Sequence, residues 1–151
     1  MKKIWILIGL LLPMITSSAQ VTVDWVENTG GISIALDGDN NVYTVDYVQN
    51  PGGDIVLTKR SPTGSFVWEV AHDQTDNTRW ERVSWVEVDH DGNIVVTGTS
   101  MSGFSNPVTA ASIVMKFDPN GNLLWRNVYE NTFDGSSTRK CIIDNANNIY
   151  V

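Results

Sequence analysis

Ile34-Ala35-Leu36-Asp37-Gly38-Asp39-Asn40-Asn41-Val42-Tyr43 is two short apolar runs around a cluster of Asp, Gly and Asn, and the phrase returns twice. Its other copies are Val86-Glu87-Val88-Asp89-His90-Asp91-Gly92-Asn93-Ile94-Val95 and Cys141-Ile142-Ile143-Asp144-Asn145-Ala146-Asn147-Asn148-Ile149-Tyr150, with the first aspartates 52 and 55 residues apart. A second phrase occurs as Ile55-Val56-Leu57-Thr58-Lys59-Arg60-Ser61-Pro62-Thr63-Gly64-Ser65-Phe66-Val67-Trp68. It recurs as Ile113-Val114-Met115-Lys116-Phe117-Asp118-Pro119-Asn120-Gly121-Asn122-Leu123-Leu124-Trp125, with the lysines and the tryptophans of the two copies each 57 residues apart. Apolar runs that flank such clusters read as hairpins, because Gly and Asn accept the positive φ of tight turns.

Two hairpins per unit make four strands. The first unit predicts strands over residues 32–36, 42–48, 54–60 and 65–70, and the second over 83–88, 94–100, 111–117 and 122–129. A third unit begins at Lys140. No apolar period of 3.6 persists long enough for a helix beyond the first residues. The second unit has five extra residues in its middle connection, around Ser102 to Ala110, which implies a surface loop.

Four-stranded antiparallel units at a spacing near 50 residues predict an all-β fold, a β-propeller of four-stranded blades. Residues 20–151 would be a partial propeller: an outer strand over 21–27, blades over 32–70 and 83–129, and the start of a third blade over 140–151. Propellers close with about 4 to 8 blades. About two and a half are present, so the expectation is an incomplete ring whose remaining blades lie elsewhere. Trp25 sits in a stretch like those of Trp68 and Trp125, so its strand is expected to complete the ring's last blade. The three tryptophans are read as wedge-filling core between sheets.

The pattern Asp-x-x-Gly/Asn-Asn followed by two hydrophobic residues, then Lys-x-Asp-x-x-Gly-x-x-x-Trp, resembles the SBBP-type repeats of exported bacterial β-propellers of the Bacteroidetes kind. Lys116 to Trp125 fit it well. Lys59 to Trp68 carry Ser61 in place of the turn aspartate, and Asp144 to Asn148 lack the glycine. The resemblance implies a large secreted repeat protein, with this chain as its N-terminal fragment.

Residues 1–19 agree with export. Lys2 and Lys3 precede an apolar run from Ile4 to Ile15, and Ser17 and Ala19 suit cleavage before Gln20, the layout of a secretory signal peptide. The run is shorter than the ~20 residues that span a bilayer. Cleavage leaves 8 basic and 17 acidic residues, a net charge of −9, in a product with no stable membrane span. So acidic a chain disfavours nucleic acid, which needs a clustered basic face. The expected location is secreted, periplasmic or at the cell surface. The single Cys141 takes the repeat position of Ile34 and Val86 and is read as a small core hydrophobe.

Trp80 falls in the polar stretch Asp76 to Arg82, and Trp85 aligns with the polar Ser33 and Lys140. With Arg79 and Arg82 they are the candidate ligand-binding residues, a stacking platform for a sugar ring or a peptide. Alternate oxygens at Asp37, Asp39 and Asn41, and at Asp89, Asp91 and Asn93, are the calcium candidates. Turn formation explains the same residues without metal, and no cofactor is expected. His72 sits beside Asp73 in a connection and His90 in a hairpin turn, neither has an identifiable catalytic partner, and no catalytic residue is expected. The function expected is a non-enzymatic scaffold or binder of glycan or protein. The alternatives are a sialidase-like glycoside hydrolase with its paired carboxylates in further blades, since Asp118 to Trp125 resemble that family's Asp box, and a gene fragment without function.

Overall fold

A computed structural model describes residues 25–26, 30–48, 54–72, 79–102, 110–130 and 137–151. The leader, most of the expected outer strand and the five-residue insertion lie outside the described residues. Those described form ten strands and no helix: β1 Ser33–Leu36, β2 Val42–Val48, β3 Asp54–Arg60, β4 Phe66–His72, β5 Arg79–Val88, β6 Ile94–Ser102, β7 Ala110–Phe117, β8 Leu123–Glu130, β9 Ile142–Ile143 and β10 Ile149–Tyr150. β1 to β4 make one antiparallel sheet in chain order, β5 to β8 make a second, and β9 pairs with β10.

The repeated phrases build one kind of turn. In each of five hairpins the first turn residue donates its backbone N–H to the carbonyl of the fifth, and the fourth donates to the carbonyl of the first. The fourth residue has positive φ in every case: Asn40 at 63°, Gly64 at 81°, Gly92 at 81°, Gly121 at 86° and Asn147 at 61°. That is a three-residue loop ending in a left-handed bulge position. Asn147 fills it where the glycine is missing, because Asn visits this conformation at low cost.

Strand alternation then sorts the side chains. Tyr43, Val45, Ile55 and Leu57 of the first sheet meet Val83, Val86, Ile94, Val96, Ile113, Met115 and Phe117 of the second in one buried cluster. Burying each such aliphatic contributes roughly 1.5–3 kcal/mol. The opposite face of the second sheet supplies Val95 and Val114 to another cluster, with Cys141 of the third unit, flanked by Trp85, Trp125, Ile143 and Ile149. Cys141 is 1% exposed, and burial pushes its thiol up to about 11. The second sheet is thus buried on both faces. The first keeps an open one, where Ile34, Leu36 and Phe66 are exposed.

A recurring contact links successive units. The indole N–H of Trp68, on β4, donates to the carbonyl of Pro119 in the next sheet's second turn at 3.3 Å, and the ring lies against Gly121. Trp25 repeats it one unit earlier, donating to Pro62 at 3.1 Å and covering Gly64. A Cβ on Gly64 would stand 2.6 Å from that ring. The buried Val86 N–H also crosses between sheets to the Ser33 hydroxyl at 3.1 Å.

Most strand limits agree with the sequence reading to within two residues. β5 is the correction: it starts at Arg79, four residues before the expected Val83. Residues 79–82 pair with Thr99 to Ser102 and belong to the sheet, not to a connection.

Candidate functional site

β5 places the candidate ligand residues, and its shape depends on one irregularity. Val83 pairs with Gly98 and Trp85 with Thr97, leaving Ser84 as an extra, bulged residue. A bulge of one residue reverses the alternation beyond it. Glu81, Val83 and Val86 therefore face the first sheet, whereas Trp80, Arg82 and Trp85 share the face toward the third unit.

The structure separates the two tryptophans. Their partners Met101 and Thr97 are four residues apart on β6, about 13 Å along the strand. Trp85 is packed against the second cluster, donates its indole N–H to Glu87 at 3.1 Å, and carries the Lys140 ammonium 4.7 Å over its ring. Trp80 is half-buried at the other end, and Arg79 lies beside it in β5. Arg82 is exposed and lines a cleft of about 420 Å3 between the second sheet and the approach to the third unit. Ser84, Thr99, Met101, Thr138 and Arg139 are among the other residues that line it. The sequence reading missed Arg139. A signal for it existed: Arg139 stands 55 residues after Ser84, the repeat spacing, so the alignment brings it beside Arg82.

The calcium candidates sit in the turns. Asp37 Oδ1 accepts the backbone N–H of Asp39 at 3.0 Å and of Asn41 at 2.8 Å, while Oδ2 accepts from the Asn41 amide and the Tyr43 hydroxyl. Asp89 accepts in the same way from Asp91 and Asn93, and its Oδ2 meets Lys116 Nζ at 2.7 Å. Asp91 accepts from the side chain of Asn147 in the third unit at 2.8 Å. Asp118 and Asp144 are held by the same donors of their own turns. These lone pairs point at N–H and O–H donors, and a hard cation would have to displace them. Among the described residues no group of three His, Cys, Asp or Glu could hold a metal.

The same bonds set an acid limit. Burial opposes the charge of Asp89, but the Lys116 ammonium and the Asn93 donors outweigh it and hold the carboxyl below 3.8. The Asn148 side chain and backbone bring Asp144 down to about 2. A carboxyl whose folded pKa is depressed stabilises the fold above its unfolded value and loses that stabilisation as pH falls through the folded one. The melting temperature is therefore expected to hold from pH 7 to about 4 and to fall between about 4 and 2. Asp89→Asn is expected to be less stable at pH 7 by about 1.5–3 kcal/mol, with a shallower acid limb. Thermal melts of both proteins across this range, recorded by circular dichroism, check it; equal acid limbs would contradict the assignment.

No protein-family model matches the chain, and no curated protein is similar to it. Among the described residues, no helix is long and apolar enough to cross a membrane.

Proposed function

We propose that the chain forms part of an exported β-propeller of the SBBP-repeat kind, acting as a non-enzymatic binding module or scaffold for glycan or protein at the bacterial surface. Support for the ring comes from the repeated contact between units. Trp25 and Trp68 each cap the second turn of the following sheet, the same contact one unit apart, and Ile34, Leu36 and Phe66 leave an apolar face exposed for a neighbouring blade to cover. Residues 1–19 support export.

The observation that carries the binding reading is the division of labour among polar groups. The recurring carboxylates Asp37, Asp89, Asp118 and Asp144 hold turns, while guanidinium and hydroxyl groups face solvent in the cleft beside β5. Glycoside hydrolysis needs two free carboxyl groups on either side of a sugar bond. Clefts with a few convergent polar groups suit recognition.

Electrophoresis of the chain through gels containing bacterial surface polysaccharides, with reducing ends assayed in parallel, tests this reading. Retardation without release of reducing ends is the expected result. Release of reducing ends above the buffer level would overturn it in favour of a hydrolase. Export has its own readout: the secreted product is expected to begin at Gln20 by mass spectrometry, and an uncleaved Met1 product confined to the cytoplasm would refute it.

A further inference from the structure

The described basic side chains are nearly all engaged. Lys59 pairs with Asp37, Lys116 with Asp89 and Arg126 with Glu81. Arg60 donates to the carbonyl of Gly64, and Lys140 lies over Trp85. Arg82 and Arg139 are the two without an ion pair, hydrogen bond or ring contact among the described residues, and both line the cleft beside β5. In a chain of net charge −7, cations are scarce. Two of them left unneutralised in one concavity create a local positive field against an acidic background.

The remaining wall fits the same chemistry. Ser84, Thr99 and Thr138 offer hydroxyls that both donate and accept, and among the described residues no lining residue carries a negative charge. A guanidinium presents a planar fork that matches the two oxygens of a carboxylate or sulfate. Trp80 pairs across the sheet with the lining Met101 on the cleft's face, so an indole borders the place where a sugar ring would extend. The geometry points to an oxyanion site: the cleft takes an acidic saccharide, with Arg82 and Arg139 holding its carboxylate or sulfate. This assignment rests on the binding-module reading above and names its ligand class.

Affinity electrophoresis of the chain through polygalacturonate, dextran sulfate and neutral dextran tests it. Retardation by polygalacturonate identifies a carboxylate ligand, and retardation by dextran sulfate a sulfate ligand. Neutral dextran is expected to leave the mobility unchanged. Arg82→Gln and Arg139→Gln are each expected to weaken the retained interaction about tenfold, as the loss of one charge-assisted contact does, with an unchanged melting temperature because both side chains are exposed. Raising the salt concentration weakens it further. Retention of an acidic polymer undiminished in both variants would overturn the site and leave the binding module standing. Retention of neutral dextran alone would do the same. Absence of retention by all three polymers would overturn the site as well, and release of reducing ends would remove the reading on which it rests.

Discussion

Arg126→Ala is expected to lower the unfolding free energy by about 3–5 kcal/mol, read as a fall in the urea midpoint at constant slope. Glu81 lies on β5 facing the first sheet, with its side chain 1% exposed. Its Oε1 accepts from Arg126 Nη2 at 2.7 Å, while Oε2 and Arg126 Nε make no protein hydrogen bond. Arg126 pairs with Met115, a member of the cluster between the two sheets, so the bridge runs over that buried face. Removing the guanidinium strands a carboxylate in a low-dielectric interior, where charge is costly. The pair itself need not add stability, since its desolvation offsets its attraction. The double variant Glu81→Leu with Arg126→Met is therefore expected to recover most of the loss. A single-variant cost under about 1 kcal/mol, the range of exposed pairs, would show that solvent screens the bridge.

The fold was legible where local chemistry decides it. Turn residues and two-residue alternation gave the two sheets and their order, because each hairpin closes on strands adjacent in the chain and needs no distant partner. Even the departures from the repeat were structurally mild: Ser61 replaces the turn aspartate by accepting the Ser65 N–H at 3.2 Å. Sequence reading failed at the start of β5. There the buried position holds Glu81 and the neighbouring Trp80 takes the other face, the reverse of the usual hydrophobic signal. Only Arg126, 45 residues away, makes a buried Glu81 acceptable. The candidate site was half legible for the same reason. Arg82 was visible as a charged residue near two tryptophans, but pairing it with Arg139 needs the bulge at Ser84 and the stacking of the third unit on the second.

That bulge makes Gly98→Ala the second large effect. Gly98 pairs with Val83 where the register skips, and a Cβ there would overlap the Arg82 carbonyl oxygen and lie 3.1 Å from the Val83 Cα. Both are backbone atoms, so no rotamer relieves the overlap. Either β5 moves away from β6, or the extra residue is expelled. Expulsion restores simple alternation, and the core-facing Val86 and Val88 anchor the strand beyond the bulge. The segment before it would then turn over, directing Trp80 and Arg82 into the sheet-to-sheet core and Glu81 toward the cleft. Either route is expected to cost about 3 kcal/mol, the upper part of the range for overpacking. Gly38→Ala is the control, since a Cβ there meets nothing within 4 Å and the cost should stay within about 0.5 kcal/mol. Urea melts of the two variants separate the cases. The expulsion route also removes Arg82 from the cleft, so Gly98→Ala is expected to lose retention by acidic polysaccharide although the glycine does not line the cleft. A Gly98→Ala chain as stable as the Gly38→Ala control would mean that β5 tolerates a Cβ at this crossing, and that the bulge does not fix which face Arg82 occupies.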